Sequence, residues 1–195
     1  MLPVRIAALG FRCFKERDTM GKMYLMCGLS GAGKTTFAKK FAEENNLTYV
    51  SIDDFYKKKA NGVYNNDTAF EVWIDFFKTI HILEQFRCDI LIDTNAPTFV
   101  KRQQFIDWFP TFDEYNLIYI DIKNEELRKR NNASRGRIVP ADEMERMRKE
   151  FEEPVLFFAD YDRAYTCPEK RWDNIIVYRN KNNEFYKCIN NKDLI

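Results

Sequence analysis

Residues 28–36 read GLSGAGKTT and constrain the fold of this chain more than any other segment. They fit the pattern G-x-x-x-x-G-K-[ST], in which glycines let backbone N–H groups converge on phosphate oxygens. A short apolar run at residues 23–27 precedes them, and apolar residues at helical spacing follow. A strand, a glycine loop and a helix N-terminus in this order predict a loop that cradles the phosphates of a nucleotide.

The polar residues of this loop have expected partners on a nucleoside triphosphate and its metal ion. We expect Lys34 to neutralise the β- and γ-phosphates in binding and in catalysis, and Thr35 to place its hydroxyl on Mg²⁺. The other residues expected to contact the phosphates are Gly28, Ser30, Gly31, Ala32, Gly33 and Thr36. ATP and Mg²⁺ are therefore the predicted cofactors, and a glycine turn with an exposed lysine is the alternative interpretation.

Apolar runs of strand length alternate with amphipathic helical patterns along most of the chain. Strands are predicted at residues 23–27, 47–52, 90–92 and 115–122, and helices at 34–45, 69–83, 98–109, 125–132 and 140–151, with a polar loop at 57–67. Residues 174–178 and 184–189 are interpreted as a strand pair with a tight turn, or as one strand and a tail. This order predicts an α/β P-loop NTPase fold, a parallel sheet flanked by helices whose ligands bind at the carboxyl ends of the strands.

Length and composition favour one folded domain. The chain has 195 residues, and 45% of them are apolar, which is enough to bury a core. We expect a single domain over residues 20–195 and an N-terminal extension, a candidate for disorder, over residues 1–19. Lys plus Arg number 31 against 30 for Asp plus Glu, a balance that does not favour non-specific coating of nucleic acid. Five widely spaced cysteines favour neither a zinc site nor a disulfide framework, and no apolar run is long enough for a membrane span, so a cytoplasmic location is expected.

Acidic residues follow the second and third predicted strands, at the edge of the sheet where ligands bind. Asp53 is in position to accept the proton of an acceptor hydroxyl, as a phosphotransferase requires, with helix capping as the alternative. Asp54 is expected to cap a helix or to have a supporting role in the site. Asp93 ends the third strand and is predicted to hold a magnesium-bound water or to brace the phosphate loop, with a capped loop as the alternative.

The stretch between Leu127 and Ala141, after the fourth predicted strand, is strongly basic. It carries five basic residues and no acidic one: Arg128, Lys129, Arg130, Arg135 and Arg137. Arginines that close over a γ-phosphate stabilise its charge in the transition state, so we predict a basic lid over about residues 128–140. Arg130 and Arg135 are the expected catalytic residues, and Arg137 is expected to contact the nucleotide. A solvated helix face, with glutamates 125 and 126 paired to residues four positions on, is the alternative.

Four segments together resemble the polynucleotide-kinase-like branch of the small P-loop kinases, which includes zeta-toxin-like kinases. They are GLSGAGKTT, SIDDFY, IDTNAPTFVKRQQFIDW and LRKRNNASRGRIVPADEMERM, in that family's order, over about residues 23–150. The resemblance implies a parallel-sheet kinase fold with Asp53 as general base and with Lys34 and Thr35 on ATP and magnesium. It also implies lid arginines at Arg130 and Arg135.

One departure from the family pattern leaves the acceptor open. 5′-Polynucleotide kinases carry an arginine three residues after the catalytic aspartate, where this chain has Tyr56 followed by three lysines. Lysine can replace the charge but not the bidentate geometry of arginine, whereas tyrosine can stack on a base or a sugar. We expect transfer of the γ-phosphoryl group to the 5′-hydroxyl of DNA or RNA. The alternatives are a small acceptor, such as a sugar, a nucleoside or an antibiotic, and nucleotide binding that acts through a partner without transfer.

Overall fold

The computed structural model describes residues 19–60, 66–134, 138–154 and 171–190. Its strands are β1 (Lys22–Cys27), β2 (Thr48–Ser51), β3 (Ile90–Asp93), β4 (Glu114–Asp121), β5 (Asn174–Lys181) and β6 (Glu184–Asn190). Its helices are α1 (Lys34–Glu44), α2 (Ile52–Ala60), α3 (Asn66–Gln85), α4 (Phe99–Trp108), α5 (Glu125–Ala133) and α6 (Ala141–Glu150). Across these described ranges, no helix has the length and apolar character needed to cross a membrane.

The strands form one sheet in the order β2-β3-β1-β4-β5-β6. Neighbours from β2 to β5 are parallel, and β6 runs antiparallel to β5. In the central strand β1, Met23, Leu25 and Met26 are fully buried, as expected of a parallel strand covered on both faces. Phe37 of α1 packs in the cluster on one face, and Phe76 of α3 packs in the cluster on the other. The predicted α/β fold with a parallel sheet flanked by helices is confirmed.

The structure differs from the prediction directly after β2. The pattern predicts a strand to residue 52 and a polar loop over residues 57–67, whereas β2 ends at Ser51 and α2 follows at once to Ala60. The loop prediction is wrong for residues 57–60 and for residues 66–67, where α3 begins, and residues 61–65 lie outside the described residues. The charges that suggest a loop instead suit a helix, because two aspartates lie in its first turn and three lysines in its last, where they complement the helix dipole. Asp53 therefore belongs to the first turn of a helix.

The strand pair β5–β6 is a hairpin with a two-residue turn, which confirms one of the two interpretations of this segment. Its turn residues Asn182 and Asn183 have φ angles of 54° and 68°, as a type I′ turn requires. Phe37 of α1 holds the hairpin against the sheet, with ring centroids 4.5 Å from Tyr178 and 5.1 Å from Phe185. The hairpin is thus fixed to the helix that starts at the phosphate loop.

The cysteines are not all thiols. Cys27 and Cys188 are free, whereas Cys88 is disulfide-bonded. One disulfide bond does not make a disulfide framework, but the wide spacing of the cysteines does not predict this bond.

Candidate active site

A cavity of about 600 Å³ opens at the carboxyl end of the parallel strands. Its walls come from the phosphate loop after β1, from residues after β2 and β3, and from α5, α6 and the β5–β6 turn. Because β1 lies between β3 and β4 in the sheet, the phosphate loop separates the other two groups. The cavity therefore has one end beside β2 and β3 and another beside α5 and the hairpin.

Most of the predicted phosphate-binding residues line this cavity: Ser30, Gly31, Gly33, Lys34, Thr35 and Thr36. Gly28 and Ala32 are buried and do not line it. The loop needs glycine at position 31, where φ is 82° and a Cβ would lie 2.4 Å from the carbonyl oxygen of Arg128. Any side chain there would push the loop away from α5.

Lys34 is the first residue of α1 and stays close to the loop. Its Nζ donates hydrogen bonds to the carbonyl oxygens of Gly28 at 2.8 Å and Leu29 at 3.1 Å. Burial raises the pKa of Asp93, and the charge of Lys34 is one of the smaller effects that oppose this rise. The ammonium group therefore lies between the carbonyls of the phosphate loop and the carboxylate that ends β3.

Asp93 ends β3 beside the phosphate loop and is buried. The Tyr49 hydroxyl donates to its Oδ2 at 2.8 Å, and the Thr35 side chain also hydrogen-bonds to it. Burial raises the pKa of Asp93, and the nearby charge of Asp53 acts in the same direction, while the hydrogen bonds from Tyr49 and Thr35 and the charge of Lys34 oppose both. Two carboxylates that line one cavity give it a negative electrostatic potential, which favours a bound cation.

Thr35 and Asp93 fit a Mg²⁺ ion that is held mainly by phosphate and water oxygens. Magnesium in phosphoryl-transfer sites keeps several waters and takes few protein ligands. The part of the chain that the structure describes has no cluster of three or more His, Cys, Asp or Glu residues to hold a metal without a substrate. The Thr35 hydroxyl would be a direct ligand, and Asp93 would hold a metal-bound water. This assignment remains a proposal.

The two adjacent aspartates of α2 have different surroundings. Asp53 is half-buried and lines the cavity, close enough to Asp93 to affect the pKa of that carboxyl. Asp54 does not line the cavity, and its Oδ1 accepts a hydrogen bond from Lys57 Nζ at 3.2 Å. The structure thus brings Asp53 into the cavity that holds the phosphate loop and leaves Asp54 outside it.

The end of the cavity beside α2 and α3 is aromatic. Tyr56 and Trp73 line it, and we call this pair the aromatic wall. None of the three lysines after Tyr56 lines the cavity, and Lys57 and Lys59 form ion pairs with acidic residues of α2 and α3. Within the described residues, the position of the missing arginine therefore presents an aromatic ring and not a cation to the cavity.

The predicted lid is described only in part. Arg135 and Arg137 lie outside the described residues, so their roles stay predictions. Arg130 is exposed on α5 and does not line the cavity, whereas Asn131 and Ser134 do. On this side the cavity is therefore lined by Asn131 and Ser134 and not by Arg130.

Arg128, at the start of the predicted lid, is a fixed contact of the phosphate loop. It is only 2% exposed and pairs with Glu125 through two hydrogen bonds, of 2.8 and 2.6 Å. Its Nη1 also donates to the carbonyl oxygen of Ser30 at 3.3 Å. The glutamates of α5 thus pair three positions on, Glu126 with Lys129 at 3.7 Å, rather than four as the solvated-face interpretation supposes.

Arg102 of α4 is fully buried behind the segment that follows β3. Its Nη1 donates to the carbonyl oxygens of Ala96 at 3.3 Å and Pro97 at 3.1 Å, and it lies 3.7 Å from Cys27 Sγ. Residues 94–95, directly before this segment, line the cavity. Arg102 therefore holds the backbone that carries one wall of the site.

Replacing Arg102 with methionine should lower the free energy of unfolding by about 3 kcal/mol, because the change leaves two carbonyl oxygens without this donor. Urea unfolding followed by circular dichroism measures this loss. The control is Lys101→Met, at the exposed neighbouring position on the same helix, which should change stability by about 0.5 kcal/mol or less. Similar losses in both variants would contradict a specific role for the buried guanidinium.

Sequence patterns did not predict the contacts of several residues that shape the site: Tyr49, Arg102, Arg128, Asn131 and Asn180. Arg128 had a usable signal, since Glu125 lies three residues before it on the same helix. Tyr49 and Asn180 had none, because their contacts reach across the sheet to residues far away in sequence.

The family model described as an AAA domain matches residues 23–154. The matched region contains the phosphate loop, Asp53, Asp93 and α5, and it ends before the β5–β6 hairpin. No curated protein sequence matches the chain at a significant level.

Solved structures with a similar fold include three of related kinds. A sugar kinase from Janibacter sp. HTCC2649 is 16% identical, with a TM-score of 0.54 over 82% of this chain and 85% of that one. A chain of the Pnkp1/Rnl/Hen1 RNA repair complex is 20% identical, with a TM-score of 0.58 over 75% of this chain but only 54% of that one. A chain of the PezAT toxin–antitoxin system of Streptococcus pneumoniae is 17% identical, with a TM-score of 0.57 over 98% and 79%. At these identities the likeness shows the P-loop NTPase fold alone.

Proposed function

The chain belongs to the AAA domain family, and from that premise we propose that it is a kinase that transfers the γ-phosphoryl group of ATP to a hydroxyl acceptor. One observation carries the proposal. Asp53, a carboxylate suited to accept a hydroxyl proton, lines the same cavity as Lys34 and Thr35 of the phosphate loop. A protein that only binds a nucleotide has no need of a general base at this position.

In the proposed reaction, the Asp53 carboxylate accepts the proton of the acceptor hydroxyl as the hydroxyl oxygen attacks the γ-phosphorus in line. The new P–O bond forms while the bond from the γ-phosphorus to the bridging oxygen breaks, and ADP leaves with that electron pair. Lys34 and the loop N–H groups offset charge on the β- and γ-oxygens. Bound Mg²⁺ would neutralise phosphate charge. Arg130, Arg135 and Arg137 are proposed to close over the γ-phosphate and exclude water.

For the acceptor we propose the 5′-terminal nucleoside of a DNA or RNA strand. The aromatic wall of Tyr56 and Trp73 supports this choice, because base–aromatic stacking contributes about 1–3 kcal/mol per base and tolerates any base. The resemblance of the sequence to 5′-polynucleotide kinases supports it independently.

A small hydroxyl compound is the second candidate acceptor, and a specific observation favours it. Among the described lining residues, Lys34 is the one lysine or arginine. A 5′-terminal nucleoside carries a phosphate on its 3′ side, which a cation would normally neutralise. A sugar or a free nucleoside needs no such cation.

Transfer of labelled γ-phosphate from ATP, with Mg²⁺, tests the two acceptors side by side. The acceptors are a 5′-hydroxyl oligonucleotide, as DNA and as RNA, and a panel of free nucleosides and sugars. Labelling of the oligonucleotide supports the first proposal, and labelling of the panel alone supports the second. ATP binding with no transfer to any acceptor would argue for a nucleotide-binding protein that acts through a partner.

The aromatic wall should matter for the acceptor more than for ATP. Tyr56→Leu removes the ring, and we expect it to raise KM for the acceptor by about tenfold, the equivalent of one lost stacking contact, while KM for ATP changes little. Tyr56→Phe keeps the ring and is the matched control, with kinetics close to the parent. Equal changes in both KM values would contradict a role in acceptor binding.

A further inference from the structure

Each backbone carbonyl oxygen of residues 28–32 in the phosphate loop accepts a hydrogen bond from a side chain. Lys34 Nζ serves the carbonyls of residues 28 and 29, and Arg128 Nη1 serves that of residue 30. Asn131 Nδ2 donates to Gly31 at 3.0 Å, and Asn180 Nδ2 donates to Ala32 at 2.8 Å. The donor to Ala32 comes from β5, about 150 residues further along the chain and beyond the region that the family model matches.

The orientation of a carbonyl fixes the orientation of the next N–H. A trans peptide is planar, and its C=O and N–H point in opposite directions. The Ala32 carbonyl turned toward Asn180 therefore directs the Gly33 N–H the other way, and Gly33 lines the cavity. At this position a phosphate oxygen needs a backbone donor.

The Asn180 amide has a determined orientation. Its Oδ1 accepts from the backbone N–H of Asn183 at 2.8 Å, so its Nδ2 is the atom that faces the Ala32 carbonyl. The side chain is 2% exposed. A Cβ at Gly33, where φ is 92°, would lie 2.9 Å from the same Nδ2. The loop and this amide are therefore in close contact, with no room for water between them.

We propose that Asn180 is a positioning residue for phosphate binding: its amide holds the Ala32–Gly33 peptide so that the Gly33 N–H faces the nucleotide phosphates. The inference rests on nucleotide binding, which the proposed function assumes, and not on the identity of the acceptor. The hairpin that carries Asn180 is held separately by the aromatic contacts of Phe37. Changing the amide should therefore leave the hairpin in place.

Asn180→Asp tests the role of the amide, because aspartate keeps its shape and its acceptor oxygen but loses the N–H donor. Binding of Mg²⁺-ADP and of adenosine is measured by calorimetry, with no oligonucleotide or sugar present. We expect affinity for ADP to fall by about tenfold or more and affinity for adenosine to stay within about twofold, since only the phosphates meet the loop. Equal losses for the two ligands would indicate a general structural defect and overturn the inference.

A second aspartate variant distinguishes the loss of the N–H donor at position 180 from the effect of an added negative charge. Asn183 lines the cavity, and its Oδ1 accepts from Asn131 Nδ2 at 2.9 Å, a contact that aspartate retains. Asn183→Asp therefore adds the same charge without removing the donor to Ala32. A loss of ADP affinity as large as that of Asn180→Asp would assign the effect to charge and overturn the inference.

An uncharged variant and the parent complete the test. Asn180→Leu should lose ADP affinity as Asn180→Asp does, with adenosine again unaffected, and normal ADP binding by a folded Asn180→Leu would overturn the inference. Failure of the parent itself to bind ADP would instead contradict the nucleotide site on which the proposed function rests. The two failures are therefore distinguishable.

Discussion

Replacing Asp53 with asparagine should lower kcat by about two to four orders of magnitude while affinity for ATP stays within a few-fold of the parent. Asparagine has nearly the same shape as aspartate but cannot accept a proton at neutral pH. Because Asp53 lines the cavity from the first turn of α2 while the phosphates are expected at the loop, its loss should affect the chemical step rather than nucleotide binding.

The neighbouring aspartate supplies a matched control for this variant. Asp54→Asn makes the identical chemical change one residue away, outside the cavity and in the ion pair with Lys57. An exposed pair of this kind contributes little to stability, so Asp54→Asn should keep nearly full turnover. Single-turnover transfer and ATP binding are measured for both variants. A near-normal rate for Asp53→Asn, or a comparable loss for Asp54→Asn, would contradict the assignment of Asp53 as the general base.

The sequence predicts the phosphate loop and the fold because both depend on local patterns. The loop pattern is contiguous, and strands such as β1 and β3 are short apolar runs that need no partner to be recognised. The error at α2 has a local cause as well. Polar residues with lysines at the end resemble a loop, although they form a helix whose charges complement its dipole.

The support of the loop could not be predicted in the same way. Arg128, Asn131 and Asn180 reach the carbonyls of the loop from positions roughly 100 to 150 residues away in sequence, and no pattern in a single chain indicates such pairs. In the sequence Arg128 belongs to a run of basic residues, and its burial in the structure separates it from Lys129 and Arg130, which are exposed. Long-range polar contacts of this kind can be recognised only when the order of the strands in the sheet is known.

Replacing Lys34 with alanine should reduce kcat/KM for ATP by about three orders of magnitude or more. Two losses add in this variant. The β- and γ-phosphates lose a cation that acts in a partly buried site, where a removed donor alone reduces turnover by about 10²–10³. The carbonyls of Gly28 and Leu29 also lose their shared donor, so the loop itself is less well held.

Lys40→Ala is the control for this variant, because it removes the same group from the exposed side of the same helix, where Lys40 lies 3.8 Å from Glu44. Its turnover should match that of the parent. Lys34→Arg separates the two losses, since it keeps the charge but carries it on a planar group that does not fit a site shaped for an ammonium ion. We expect Lys34→Arg to recover part of the ATP affinity and little of kcat. Full activity in Lys34→Ala, measured as labelled transfer and as ATP binding, would remove the basis for placing the triphosphate on this loop.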